Sequence, residues 1–95
     1  MGLPYGGQVT HIAANATKQV KNGPGNLHTV TINSKGGSSN TLTIYDNTGS
    51  DTTNPIAVID TTAAIVTLTY DAPFANGIKA VLGTGTAADV TLVWS

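Results

Sequence analysis

His11 and His28 are the two histidines of the chain, and with Asp46, Asp51, Asp60, Asp71 and Asp89 they are the side chains best suited to hold a metal or move a proton near neutral pH. A catalytic zinc site needs three protein ligands and an open position, so one aspartate would have to join both histidines. His28 is in phase with Val30 and Ile32, which reads instead as a hydrogen-bonded histidine at the rim of a core. The run Asp46-Asn-Thr-Gly-Ser-Asp51 places oxygen-bearing side chains around a glycine, yet it lacks the spacing and terminal glutamate of a calcium loop, and these are also ordinary turn formers. Asp60, Asp71 and Asp89 each fall at a strand boundary, where a carboxylate can accept backbone N–H groups. No metal site is expected.

Nucleophilic and cofactor chemistry find equally little to use. No serine sits in a G-x-S-x-G elbow. Gly83-Thr-Gly-Thr-Ala-Ala88 matches the letters of a dinucleotide fingerprint, but that motif opens a helix and needs an acid about 20 residues on. Here the segment Asp89-Val-Thr-Leu-Val-Trp94 follows and reads as a strand, so a flexible hairpin loop is the expectation. Tyr5, Tyr45, Tyr70 and Trp94 could stack on sugars, although Tyr70 and Trp94 fall on the apolar phase of their segments and are expected in the core. Asn15-Ala-Thr17 matches a glycosylation acceptor, without a secretion signal to give it meaning. The chain therefore reads as non-enzymatic and free of cofactors.

The elements that carry these residues are strands. Val30 and Ile32 alternate with Thr29, Thr31 and Asn33, and Leu42 and Ile44 with Thr41, Thr43 and Tyr45; Lys35-Gly-Gly-Ser-Ser39 lies between, so Gly25–Asp46 reads as a β-hairpin whose turn uses glycines at positive φ. Turn-forming clusters then recur and delimit Ile56–Ile59, Ile65–Tyr70, Ile78–Leu82 and Asp89–Trp94. The segment from Gln8 to Val20 mixes helical spacing with helix-disfavouring Thr and Asn; it is assigned to strand, with Lys18 and Lys21 guarding a sheet edge. The expected fold is an all-β, antiparallel two-sheet sandwich, jelly-roll or Ig-like, of seven to eight short strands. Its expected core is Val30, Ile32, Leu42, Ile44, Val58, Leu68, Tyr70, Leu82, Leu92 and Trp94, with Val66 on the same face as Leu68.

With 95 residues the chain makes one domain, residues 8–95, preceded by an arm, residues 1–7, in which Leu3, Pro4 and Tyr5 sit among glycines as a candidate partner interface. Charged residues are 9% of the chain against roughly 25% in ordinary soluble domains. Arg and Glu are absent, and 16 threonines must cover much of the surface. A net charge of −1 without a basic cluster argues against nucleic acid. No apolar run approaches the roughly 20 residues of a membrane helix. The start lacks the basic and apolar regions of a signal peptide, so synthesis in the cytosol is expected. Without cysteine, stability must come from packing or assembly.

Gly25-Asn-Leu-His-Thr-Val-Thr-Ile-Asn33, Ser39-Asn-Thr-Leu-Thr-Ile-Tyr-Asp-Asn-Thr48, Ile56-Ala-Val-Ile-Asp60, Leu68-Thr-Tyr-Asp71, Phe74 with Gly77-Ile78, and Ala88-Asp-Val-Thr-Leu-Val-Trp94 resemble, in that order, a family of small tailed-phage β-sandwich virion proteins of the capsid decoration or cement type. The likeness covers residues 20–95. It implies a virion protein on the capsid surface, made in the cytoplasm of the host bacterium, that binds the major capsid protein and associates with itself as a homotrimer or other small oligomer. The other reading is a tail-fibre or baseplate module that binds host surface glycan, through exposed Tyr45 or Tyr5 beside Asp51.

Overall fold

The computed structural model describes residues 7–49, 53 and 55–95. It contains eight strands and, among the described residues, no helix: β1 (Gln8–Ile12), β2 (Ala16–Asn22), β3 (Gly25–Ser34), β4 (Thr41–Asp46), β5 (Pro55–Asp60), β6 (Thr67–Phe74), β7 (Gly77–Gly83) and β8 (Asp89–Trp94). They form two four-stranded antiparallel sheets, ordered β1-β8-β3-β6 and β2-β7-β4-β5. β1 pairs with β8, β2 with β7, β3 with β6 and β4 with β5. This is one long hairpin, its tip at the β4–β5 connection, rolled so that successive pairs fall alternately into the two sheets. Of the two sandwich types expected, the order is that of a jelly roll.

Only the β4–β5 connection joins neighbours within a sheet; every other one crosses between sheets. The expected hairpin Gly25–Asp46 is therefore not formed. β3 is flanked by β8 and β6, β4 by β7 and β5, and residues 35–40 carry the chain across the sandwich. The positive φ angles in that crossing belong to Ser38 (54°) and Ser39 (66°), not to Gly36 or Gly37. Gly36 is needed for a different reason: a Cβ there would lie 2.6 Å from Asn40 Oδ1 and 2.7 Å from Thr61 Oγ1. Residues 83–88 likewise form no hairpin loop; they cross from β7 to β8 and are tied down by a bridge in which Gly37 and Thr86 exchange backbone hydrogen bonds of 3.0 Å.

Inward-facing residues of both sheets make the core: Ile12, Leu27, Val30, Ile32, Leu42, Ile44, Phe74, Ile78, Leu82, Val90 and Leu92 are all buried, with Leu68, Tyr70 and Trp94 half-buried against them. Val58 corrects the expectation, being 70% exposed while its neighbour Ile59 is buried. Pro55–Ile59 is apolar on both phases, so alternation had nothing with which to choose a face, and pairing with β4 decided it by setting Ile59 opposite Leu42 and Val58 opposite Thr43. Val66 is also exposed: β6 starts at Thr67, two residues after the expected Ile65, and runs on to Phe74. Asp71 and Pro73, which read as punctuation, lie inside β6. That strand is an edge, where proline is tolerated. β2 is an edge as well and bears Lys18 and Lys21, as anticipated.

Leu42→Ala is expected to cost roughly 2–5 kcal/mol as a cavity in the sheet interface, whereas Val58→Ala should stay within about 0.5 kcal/mol. Urea unfolding of the two variants beside the parent checks this, and equal losses would contradict the assigned faces.

Candidate functional site

The polar residues gather in separate places, two of which are structural. Asn40 and Thr61 are fully buried where the β3–β4, β5–β6 and β7–β8 crossings meet. The Asn40 amide group donates to Asn15 Oδ1 (2.9 Å), Thr84 O (2.9 Å) and, at longer range, Gly83 O (3.2 Å). Its Oδ1 accepts from Thr61 Oγ1 (2.6 Å) and Ala88 N (3.1 Å). At the tip of the rolled hairpin, Asp46 caps the β6–β7 turn: its carboxylate accepts from the backbone N–H groups of Asn76 (2.8 Å), Ala75 (3.1 Å) and Gly77 (3.3 Å). Burial pushes the Asp46 carboxyl up, but these three donors outweigh it and hold the group below the ordinary carboxylate range. A carboxylate so occupied closes a turn; Ser50 and Asp51 of the same run lie outside the described residues.

Lys79 is a buried cation, 1% exposed. Strand alternation puts it on the outer face, between inward-facing Ile78 and Ala80, yet it is covered there, with Gly49 just after β4 among its partners. Its Nζ donates to Gly49 O (3.1 Å) and lies 5.4 Å from the centre of the Tyr45 ring. The aromatic face proposed for sugar stacking is thus engaged by a lysine.

Each histidine has a carboxylate partner. On the outer face of the first sheet, His11 of β1 lies 2.6 Å from Asp89 Oδ1, which also accepts from Asn33 of β3 (2.9 Å). The Asn33 amide, then the His11 ring, keep the Asp89 carboxyl below its usual range. On β3, His28 Nε2 is 3.0 Å from Ser95 Oγ and Nδ1 is 3.4 Å from Asp71 Oδ1, so the ring is hydrogen-bonded at the rim as expected. Asp71 reaches it from a left-handed conformation (φ 46°), where the ladder between β3 and β6 shifts register. Neither aspartate plays the backbone-capping role expected of it; Asp60 does, accepting from Thr62 N and Oγ1. Ser95, His28 and Asp71 stand in the order of a catalytic triad. Catalysis by such a set also needs a recess for the acyl group and N–H donors aimed at the oxyanion; the described residues enclose no pocket, and Asp71 is 69% exposed. What the geometry does supply is orientation: the His28 ring is held between β6 and the end of the chain, where Ser95 and Asn26 exchange backbone hydrogen bonds.

Among the described residues no three His or Asp side chains come together as a metal site. The largest unexplained feature is apolar. Val9 on β1, Ile56 and Val58 on the outer face of β5, and Ile65 and Val66 in the connection that follows, are exposed. Leu3, Pro4 and Tyr5, the sequence-predicted partner interface, lie outside the described residues. Comparison of the sequence with models of known families and with curated proteins finds no match.

Asn40→Ala should cost about 3 kcal/mol or more, because it strands Thr61, Ala88 N–H and buried carbonyls, each worth roughly 1–3 kcal/mol; calorimetric melting measures it. Asp46→Ala should cost about 1 kcal/mol at neutral pH, once solvent screening is allowed for. A depressed folded-state pKa contributes stability that is present above the unfolded value of about 3.9 and lost as pH falls through the folded value. The gap between parent and Asp46→Ala is therefore expected to close between pH 5 and pH 2, roughly, in denaturant titrations.

Proposed function

We propose that this chain is a structural protein of a tailed-phage virion, a capsid decoration or cement protein that binds the major capsid protein, associates with itself as a small oligomer and acts by binding alone. The observation that carries the reading is the set of exposed large apolar side chains, Ile56 and Val58 together on one face of β5 with Val9, Ile65 and Val66 besides, on a chain rich in threonine and poor in charge. Scattered single apolar residues are normal on a surface, whereas a cluster points to a contact with another protein. The jelly roll agrees with this by analogy, since the fold recurs in viral capsid and lectin domains. The family likeness of residues 20–95 supplies the shell as partner, and the arm bearing Leu3, Pro4 and Tyr5 is the segment proposed to grip it.

The glycan-binding reading is weaker on one specific ground, that Lys79 already lies over a face of the Tyr45 ring. The test is co-sedimentation with undecorated capsid shells. Saturable binding is expected, with at least a tenfold loss on deletion of residues 2–7 while circular dichroism stays unchanged, about 1.4 kcal/mol of contact. Failure of the full chain to bind shells, together with binding to host polysaccharide, would replace the proposal with the glycan reading.

A further inference from the structure

We infer that Asn22-Gly23 is a self-modifying site, at which the asparagine converts through a cyclic imide to aspartate and isoaspartate, and that the same dipeptide at Asn76-Gly77 is held back by the Asp46 carboxylate. The inference goes beyond the assembly reading and does not depend on it.

Asparagine followed by glycine is the pairing most open to this reaction, because glycine has no Cβ to keep its nitrogen from turning back onto the preceding side chain. The chain has two such pairs, and the fold brings them together: Asn22 ends β2 and is paired with Gly77, the first residue of β7. In the reaction the Gly23 amide gives its proton to hydroxide and its nitrogen bonds to Asn22 Cγ. The Cγ–Nδ2 bond breaks, and ammonia leaves with a proton from water, which regenerates the hydroxide. Water then opens the imide. Attack at Cγ leaves aspartate, whereas attack at the backbone carbonyl carbon leaves isoaspartate, whose main chain runs through Cγ and is one atom longer. No electrons are transferred, and water and hydroxide are the co-reactants.

Geometry separates the two pairs. Asn22 is exposed, and neither its side chain nor the Gly23 N–H makes a hydrogen bond among the described residues. A Cβ at Gly23 would meet nothing within 4 Å, so the space around that peptide is open, and its φ of 118° is one that glycine adopts readily. Asn76 is exposed as well, but it is pinned. Its backbone N–H donates to Asp46 Oδ1 at 2.8 Å, its side-chain amide to Asp46 O at 3.4 Å, and the Gly77 N–H, whose nitrogen would have to attack, to Asp46 Oδ1 at 3.3 Å. A carboxylate beside that N–H also opposes loss of its proton, since a second negative charge would form next to the first. Gly77 is buried besides, with Thr48 Cγ2 at 2.7 Å and Lys21 O at 2.9 Å from the place of a Cβ. Conversion at Asn22 adds one negative charge to a chain whose formal net charge is −1, and places it beside Lys21 on the edge that Lys18 and Lys21 guard. The isoaspartate form also lengthens the chain at the last rung of the β2–β7 ladder.

The full chain, incubated at mildly alkaline pH, is followed by peptide mapping and mass spectrometry, with fragmentation to tell aspartate from isoaspartate. In the folded protein Asn22 should convert about tenfold faster than Asn76 or more, because a hydrogen bond to a charged group must be given up before Gly77 can attack. In guanidinium at the same pH the two sites should convert at similar rates. Asp46→Ala should raise the rate at Asn76 about tenfold and leave Asn22 in the same molecule unchanged. An Asn22 that lasts as long as Asn76 in the folded chain, a difference that persists in guanidinium, or an Asn76 indifferent to Asp46→Ala would overturn the inference. Where Asp46→Ala speeds both sites the fold has opened, and Asp46→Asn, which keeps an acceptor oxygen and loses the charge, is scored in its place: faster conversion at Asn76 alone supports the inference, and no change at Asn76 overturns it.

Discussion

The side chain of Asn40 is the constraint on which the roll depends. Four inter-sheet crossings meet at it, its own among them, and a backbone that leaves one sheet for another must abandon its ladder partners and find others. One buried amide group supplies them, donating to Asn15, Gly83 and Thr84 and accepting from Thr61 and Ala88. The approach is so close that residue 36 has no room for a side chain. Fully satisfied, such a network favours one arrangement of loops over others, because every alternative strands a polar group in a dry place.

A rolled hairpin has a consequence for surface chemistry. It exhausts the inner faces on a core and leaves two threonine-rich outer faces plus four edges to meet the surroundings. On the outer face of the second sheet, Lys79 is held by the Gly49 carbonyl and lies over the Tyr45 ring. On the first sheet the histidines pair with aspartates in positions that order side chains, and no pocket opens beside them among the described residues. The groups with most chemical capacity are thereby spent on local structure. What stays unspent is the apolar strip along β5.

Alternation of apolar and threonine residues determined, from the sequence alone, that this chain is strand throughout, and turn clusters set the boundaries of most strands to within a residue or two. β8 was legible in full, as were the lysines of the β2 edge and the inward phase of Val30, Ile32, Leu42 and Ile44. These properties are local: a period of two and a glycine-rich turn are written in neighbouring residues. Which strands pair was not local. A crossing between sheets uses the same turn residues as a hairpin within one, so residues 35–40 looked alike in both cases until β8 and β6 took the two sides of β3. The face of β5 was likewise left to its partner, since Ile56, Val58 and Ile59 are all apolar and only registry with β4 put one inside and two out. The burial of Lys79 and the hydrogen bonds of Asn40 and His28 join residues tens of positions apart in the chain. Their chemistry follows from the closing of the roll, because a polar side chain acquires partners only when folding has removed its water.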